Sequence, residues 1–324
     1  MKKTVFSGIQ STGNVHIGNY VGALRQWVEM QETHDAIYCV VDLHAMTAPY
    51  DPGELRLSRL ETAKILLAMG IDPERSLVYY QSHVPQHAEL CWILGTMTPM
   101  GALNRMTQYK EKSGKEGALF GLFAYPVLMA ADILVQKAHE VPVGDDQTQH
   151  LELTRDLAQR FNQRYGDVFP VPDRITPKVG ARIMSLQDPL SKMSKSDQNP
   201  DALIRVADSS DEVLRKLRNA VTDSGREITY DPHGKPGISN LLEMLSALTG
   251  IPIDQLESTY QGLGYAAFKE VVAEAVIGAL APFQAALSAL EDGEVEEVMS
   301  KGAVKGRERA EATMVEVRRA VGLA

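Results

Sequence analysis

Three short apolar runs, "TVFSGI" from Thr4, "AIYCVVDL" from Ala36 and "SLVYYQS" from Ser76, alternate with two stretches of helical period. That order leaves few folds open. In "NYVGALRQWVEMQE", Val21, Leu24, Trp27 and Met30 recur at helical spacing. In "DPGELRLSRLETAKILLAMG", Asp51 is placed as an N-cap, Pro52 at the first helical position, Glu54 near the capping-box position and Gly70 as a stop. A βαβαβ order of this kind predicts an α/β fold with a doubly wound, Rossmann-like parallel sheet and right-handed crossovers. A further strand is expected at "HEVPVG", followed by a long helix over 145–165.

Beyond residue 200 the texture changes to helices without evident strands: "DEVLRKLRNAV", "ISNLLEMLSALTG", "IDQLESTYQG" and "FKEVVAEAVIGALAPFQAALSALE". Pro282, inside the last of these, is expected to kink or break its helix. At 324 residues the chain is twice the length of a common domain of ~150 residues. The expectation is therefore a Rossmann-like domain over 1–197 and a smaller all-helical domain over 198–324.

The net charge of −9 argues against a general nucleic-acid coat, which needs a dominating basic field, but leaves room for a local basic patch. Such a patch is present near the C-terminus, where Lys301, Lys305, Arg307, Arg309, Arg318 and Arg319 face three glutamates. The only two cysteines, Cys39 and Cys91, sit in apolar runs, as buried reduced thiols do, and fit a cytoplasmic location. "MKKTVFSGIQ" lacks a long apolar segment, and no 18 uninterrupted apolar residues occur, so neither export nor membrane insertion is expected.

In a doubly wound sheet, ligands gather at the carboxyl ends of the strands, which directs attention to the first loop, "SGIQSTGNVHIGNY". Gly13 and Gly18 have P-loop spacing, but Asn19-Tyr20 stands where Lys-Ser/Thr must follow, and the glycines do not form GxGxxG. What remains is a Gly-rich turn with His16 and Asn19 flanking Gly18, at a helix start whose N–H groups favour phosphate. Taken alone, the loop reads equally well as a structural turn.

The second constellation is "LSKMSKSDQNP", with lysines at 192 and 195 among small hydroxyl residues. A lysine is a flexible point charge suited to following a polyphosphate, although a Lys/Ser segment by itself more often is a solvated loop. His83 and His87 are four apart, but Pro85 intervenes and no HExxH follows, so no zinc site is expected; His139 and His150 have no assignable chemistry.

"HIGN" paired with "KMSKS" resembles the two signatures of class I aminoacyl-tRNA synthetases. The ordered set "FSGIQSTGNVHIGNYVGALRQWV", "LMAADILV", "VPVGDDQTQHLELTRDLAQRFN", "VGARIMSL", "KMSKSD", "AVTDS" and "GISNLLEM" is similar to the bacterial tryptophanyl-tRNA synthetase family over nearly the whole chain. Three positions depart from that family's usual pattern: His16 in place of Thr, Leu43 in place of Gln before His44, and Asp145 in place of Glu.

For ATP, the resemblance implies Gln10, Ser11, Thr12, Gly18 and Asn19, then Gly144, Asp145 and Asp146 near the ribose, Ile183 against adenine, and Lys192, Met193, Ser194, Lys195 and Ser196 along the phosphates. It implies catalytic roles for His16, Asn19, Lys192 and Lys195, with Lys112 as a third cation for pyrophosphate. An alternative for Asp146 is an N-cap of the following helix. For tryptophan it implies Phe6, Gln10, His44, Tyr125, Met129, Asp132, Val141, Val143 and Gln147. Asp132 carries the clearest physics, because an acid inside "LMAADILV" needs a partner, and an indole N–H is a lone donor that a carboxylate accepts.

The implied reaction joins L-tryptophan to ATP, releasing Mg-pyrophosphate, and then moves the aminoacyl group to the terminal ribose of tRNA(Trp). Mg2+ accompanies ATP and no structural metal is expected. A homodimer and a helical domain contacting the anticodon are further implications of the resemblance. The rival readings are a tyrosyl-tRNA synthetase, a small nucleotidylyltransferase, which would not require so large a helical domain, and a synthetase-like regulator that binds tryptophan or RNA.

Overall fold

A computed structural model describes residues 2–11, 15–20, 25–112, 119–175, 183–193, 197 and 199–324, leaving aside the side chains of Arg25, Glu111, Lys112 and Asp145. Strands β1 (Thr4–Ile9), β2 (Asp35–Val40), β3 (Leu77–Tyr80), β4 (Glu140–Pro142) and β5 (Asp173–Ile175) form one sheet in the order β3-β2-β1-β4-β5. All four pairings are parallel, with Thr4 to Ile9 opposite Asp35 to Val40. Ala36 to Val40 are fully buried, as a strand covered on both faces requires. The direction of winding reverses between β1 and β4, which makes their carboxyl ends the switch point of the sheet.

The first four strands fall where the apolar runs predict them. β5 does not announce itself: "DRI" is three residues long, carries two charges and lies between prolines, so it has no apolar period to detect. The N-cap forms as expected, Asp51 Oδ1 accepting from Gly53 N at 2.8 Å and Glu54 N at 3.0 Å at the start of helix Pro52–Ala68, while Glu54 takes part through its backbone and not through the side-chain bond of a capping box. In place of one helix over 145–165, a single 3-10 turn, Asp145–Gln147, precedes the helix Thr148–Tyr165.

By contacts the chain forms two compact units, one of Met1–Gly13, Glu29–Pro177 and Leu290–Ala324, the other of Asn14–Val28 and Lys178–Ala289. This division differs from a cut at residue 197. The long terminal helix Asp292–Val321 returns to the sheet, where Gly302 lies so close to β3 that a Cβ would sit 1.8 Å from Val78 O. Its basic residues are largely engaged there: Arg309 pairs with Asp35 at 2.7 Å, Arg318 with Glu89 at 2.6 Å and Glu311 at 2.5 Å, Lys301 with Glu297 at 2.7 Å, and Arg307 donates to His83 O at 2.9 Å.

The second unit is built from helices Ser210–Arg218, Pro236–Thr249, Ile253–Thr259 and Tyr265–Ala289. A reciprocal capping box of Ser209 and Glu212 starts the first of them. Of the kink or break expected at Pro282, the break does not occur: Tyr265–Ala289 continues through it, because Val276, Leu280 and Phe283 are buried on either side and packing outweighs the lost hydrogen bond. That helix is long and apolar enough by composition to cross a bilayer, yet its face of Phe268, Val272, Ala273 and Val276 is buried and the helix packs on Ser210–Arg218 and Pro236–Thr249.

Candidate active site

Helix Phe120–Val135 carries Tyr125, Met129 and Asp132 at i, i+4 and i+7, a spacing that aligns them on one face. Asp132 is 1% exposed, and its carboxylate receives three donors: His44 Nε2 on Oδ2 at 2.7 Å, and His87 Nδ1 at 2.7 Å and Gln81 Nε2 at 2.6 Å on Oδ1. Burial by itself raises this carboxyl; the hydrogen bonds from His44 and His87 outweigh it and hold the group below the usual range. Because a carboxylate offers about four lone-pair positions, one acceptor remains for a ligand. Leu43 has no polar side chain, but its backbone N–H donates to Gln81 Oε1 at 3.1 Å and so supports the network through Gln81.

The network continues inward. With Nδ1 donating to Asp132, His87 presents Nε2 to the Tyr79 hydroxyl at 3.0 Å, and Tyr79 in turn receives Gln136 Nε2 at 3.0 Å. Every hydrogen in this chain then points toward Asp132, which suits an ionised acceptor. Burial pushes the Tyr79 hydroxyl well above its ordinary range, so it stays a donor. Phe6, Val141 and Val143 belong to the apolar cluster against which Met129 packs, and the His44 and Tyr125 rings meet edge to face with centroids 6.2 Å apart. Tyr125 itself is bonded through its hydroxyl to Gln108 Oε1 and His150 Nε2, each at 2.7 Å.

At the switch point, Gln10 and Ser11 follow β1 while Gly144 to Gln147 follow β4. Ser11 is buried with a hydroxyl that has no hydrogen-bond partner among the described residues. Asp146 does not cap the helix Thr148–Tyr165, whose N-cap is Gln147. It is exposed, and its Oδ2 accepts from Gln147 Nε2 at 3.0 Å.

In the second unit, His16 opens the short helix Ile17–Asn19; its backbone N–H donates to Asn19 Oδ1 at 3.3 Å. Gly18 packs so tightly that a Cβ there would lie 3.0 Å from the His16 ring and 3.5 Å from Ile183 Cβ. Residues 15–17 pair with 204–206 through Ile17 N to Ile204 O at 2.9 Å and Val206 N to Val15 O at 3.0 Å. The Arg205 turn is fixed in its turn by a buried pair, Asp208 accepting from Lys216 Nζ at 2.5 Å and from Arg205 N at 2.8 Å.

The second signature starts from a short bridge of Met184 and Lys192, with Met193 N donating to Ile183 O at 3.2 Å. Asn240 clamps it from below, its Oδ1 accepting Met184 N at 2.7 Å and its Nδ2 donating to Met184 O at 3.0 Å. Ile183 and Met193 are buried anchors, while Lys192 projects to solvent. Thr12, Ser194, Lys195 and Ser196 lie outside the described residues, as does the side chain of Lys112 in helix Thr107–Lys112 and that of Asp145.

Sequence reasoning missed Gln81, His87, His150 and Asn240. For the first two a usable signal existed: an acid in an apolar helix demands donors, and "YYQSHVPQH" holds several next to a strand's carboxyl end. His150 and Asn240 carry no local signal, since a lone histidine or asparagine in a helix is equally at home on a solvated face.

The family model "tRNA synthetases class I (W and Y)" matches residues 1–281. The chain belongs to that family. It is 50% identical to a tryptophan–tRNA ligase of Caldanaerobacter subterraneus over 99% of this chain and 98% of the relative, and 49% identical to that of Wolinella succinogenes over 100% and 99%. Among solved structures, this class I synthetase chain superposes on tryptophanyl-tRNA synthetase from Mycoplasma pneumoniae with a TM-score of 0.91 at 34% identity, covering 100% of this chain and 99% of the other. A Campylobacter jejuni tryptophanyl-tRNA synthetase complexed with ADP and tryptophan gives 0.86 at 34% identity, covering 99% and 100%.

Proposed function

We infer that this chain is a tryptophan–tRNA ligase that makes tryptophanyl-adenylate from L-tryptophan and Mg-ATP and passes the aminoacyl group to tRNA(Trp). The observation that carries it is the buried Asp132 carboxylate with one acceptor position left, on the helix face it shares with Tyr125 and Met129. A phenol has no N–H at the position of the indole nitrogen, so an ionised acceptor there favours tryptophan over tyrosine.

In the first step a tryptophan carboxylate oxygen attacks the α-phosphorus of ATP, and the bond from that phosphorus to the bridging oxygen breaks, releasing pyrophosphate with its magnesium. The chain contributes position and charge. Asp132 receives the indole N–H, Phe6, Val141, Val143 and Met129 enclose the ring, and Gln10, His44, Tyr125 and Gln147 complete the amino-acid site. Gln10, Ser11, Thr12, His16, Gly18, Asn19, Gly144, Asp145, Asp146, Ile183 and Lys192 to Ser196 hold the nucleotide. Lys192, Lys195 and Lys112 offset the charge of the leaving pyrophosphate, and hydrogen bonds from His16 and Asn19 stabilise the transferring phosphoryl group. In the second step a ribose hydroxyl of the tRNA terminus attacks the mixed anhydride, and AMP leaves with the phosphate oxygen.

Amino-acid-dependent ATP–pyrophosphate exchange tests the reading: exchange is expected with tryptophan and not with tyrosine. Exchange with tyrosine alone overturns the specificity, and exchange with neither favours a regulator. Lys192→Ala is expected to slow exchange on the order of 10²-fold, the scale of one lost electrostatic donor, with tryptophan affinity unchanged; an unchanged rate counts against the lysine's role.

The chain is also proposed to act as a cytoplasmic homodimer that meets the tRNA anticodon through its helical portion, 198–324. In support of the dimer, Trp92 (76% exposed), Phe120 (79%), Met100 and Leu119 are large apolar side chains left exposed in or beside helices Gln86–Gly95, Met100–Asn104 and Phe120–Val135, the last of which packs on the other two. Sedimentation equilibrium is expected to give twice the chain mass, and a monomer at micromolar concentration rejects it. Cys39 and Cys91 are unpaired thiols, as a reducing compartment favours.

A further inference from the structure

A phenolic hydroxyl has one proton to give and two lone pairs to fill. At Tyr125 the proton goes to Gln108 Oε1, and His150 Nε2 lies 2.7 Å from the same oxygen, where with that proton already given one lone pair can receive an Nε2–H. One acceptor position is left over. Both neighbours are held in place from outside the trio. Gln108 belongs to helix Thr107–Lys112, which is pinned at its first residue because Gln149 Oε1 accepts both Thr107 N at 3.1 Å and Thr107 Oγ1 at 3.0 Å. His150 is 2% exposed on helix Thr148–Tyr165.

Burial pushes the His150 imidazole down to about 4 against the opposing charge of Asp146, with His44 pushing the same way as burial. Its Nδ1 has no hydrogen-bond partner among the described residues. The imidazole therefore stays neutral across the neutral range, and because the Tyr125 proton is given to Gln108 Oε1, the tautomer that completes the contact is Nε2–H, with His150 the donor. A donor on one side and an acceptor on the other remove the rotational freedom of the hydroxyl.

We propose that His150 and Gln108 are positioning residues that fix the Tyr125 hydroxyl so that its remaining lone pair accepts a hydrogen from the α-ammonium of the bound amino acid. This rests on the reading of Tyr125 as part of the amino-acid site. Tryptophan has two kinds of donor; with the indole N–H received by Asp132, the ammonium is the one left for Tyr125. Without the pair, the hydroxyl can turn its proton toward the ammonium, and the contact changes from attraction to repulsion. Neither residue touches the substrate in this account.

Calorimetric titration of the full chain with L-tryptophan and with indole-3-propionate, which lacks the ammonium, tests the proposal. His150→Phe is expected to raise the tryptophan Kd three- to tenfold, the worth of one hydrogen bond, and to leave indole-3-propionate within twofold. His150→Gln, which restores an N–H at similar reach, is expected to recover most of the loss. Gln108→Leu, at a partly exposed position that folding tolerates more readily, is expected to act in the same direction. In a Tyr125→Phe background neither change should have a further effect. Equal weakening of both ligands, or effects that add to Tyr125→Phe, would mean that His150 only fills space, and the proposal falls. An unmodified chain that binds indole-3-propionate and not tryptophan overturns the ammonium contact alone; one that binds neither overturns the amino-acid site itself.

Discussion

Asp132→Ala is expected to lower the stability of the chain by about 3 kcal/mol or more and to abolish tryptophan-dependent exchange, since it leaves the donors of Gln81, His44 and His87 buried without an acceptor. Asp132→Asn separates structure from recognition. Its carbonyl can replace Oδ1 beneath Gln81 and His87, while its amide faces His44, which can answer by moving its proton to the other ring nitrogen. The expected stability loss is then only about 1–2 kcal/mol. Tryptophan affinity should still fall about 10- to 100-fold, the range for a hydrogen bond to a charged group, with ATP affinity unchanged. Separate binding titrations decide the matter, and equal losses for both ligands would argue against the indole contact.

The same carboxyl gives the comparison a pH dependence of known sign. Its hydrogen bonds hold it below the ordinary carboxyl range in the folded chain, so the stability it contributes is fully present above that range and is lost only as pH falls below it, toward and through the lowered folded value. The stability gap between the unmodified chain and Asp132→Asn should therefore be widest near neutrality and close in acid. Denaturation midpoints measured from pH 7 down to well below about pH 4, the ordinary carboxyl range, check this: the gap holds above that range and narrows only beneath it, and a gap that widens there contradicts it.

Gly302→Ala is the second large effect. A methyl group at 302 would meet Val78 O at 1.8 Å, and that oxygen belongs to edge strand β3, which is held from its other side by the ladder to β2 and cannot retreat without straining that pairing. Overpacking of this kind destabilises by about 1–3 kcal/mol and often more where backbone is the obstacle. The terminal helix Asp292–Val321 should lift from β3, with loss of the Arg309–Asp35 and Arg318–Glu89 pairs. Gly306→Ala, whose methyl would touch the Tyr79 ring and Val84 at 3.3 Å, is a graded control with an effect well under that of Gly302→Ala. Calorimetric melting that leaves Gly302→Ala at the midpoint of the unmodified chain would show that the close approach is not maintained in solution.

Much of the fold was legible because its signals are local. "TVFSGI", "AIYCVVDL" and "SLVYYQS" are too apolar to sit anywhere but inside a sheet, and the Asp51-Pro52-Glu54 start fixes its own helix through bonds that span three residues. Three things were not legible. "DRI" pairs with β4 only because β4 is there. Pro282 does not interrupt its helix because residues far away in sequence hold both sides of it. The basic terminal helix lies against the sheet, where Arg309 and Arg318 find Asp35 and Glu89 from distant parts of the chain.

The candidate site divides the same way. The sequence by itself determined the alternation that makes a doubly wound sheet, and it proposed the candidates for the chemistry, the paired signatures and the acid within "LMAADILV", all of them matters of residue type and short spacing. Only the tertiary structure decided what holds them. Gln81 and His87 converge on Asp132 from 51 and 45 residues away, His150 reaches Tyr125 across 25, and Asn240 clamps Met184 across 56. The physical reason is that a hydrogen bond has no memory of sequence: burial makes an unpaired polar group costly, and the partner is whichever donor the packed chain brings within about 3 Å.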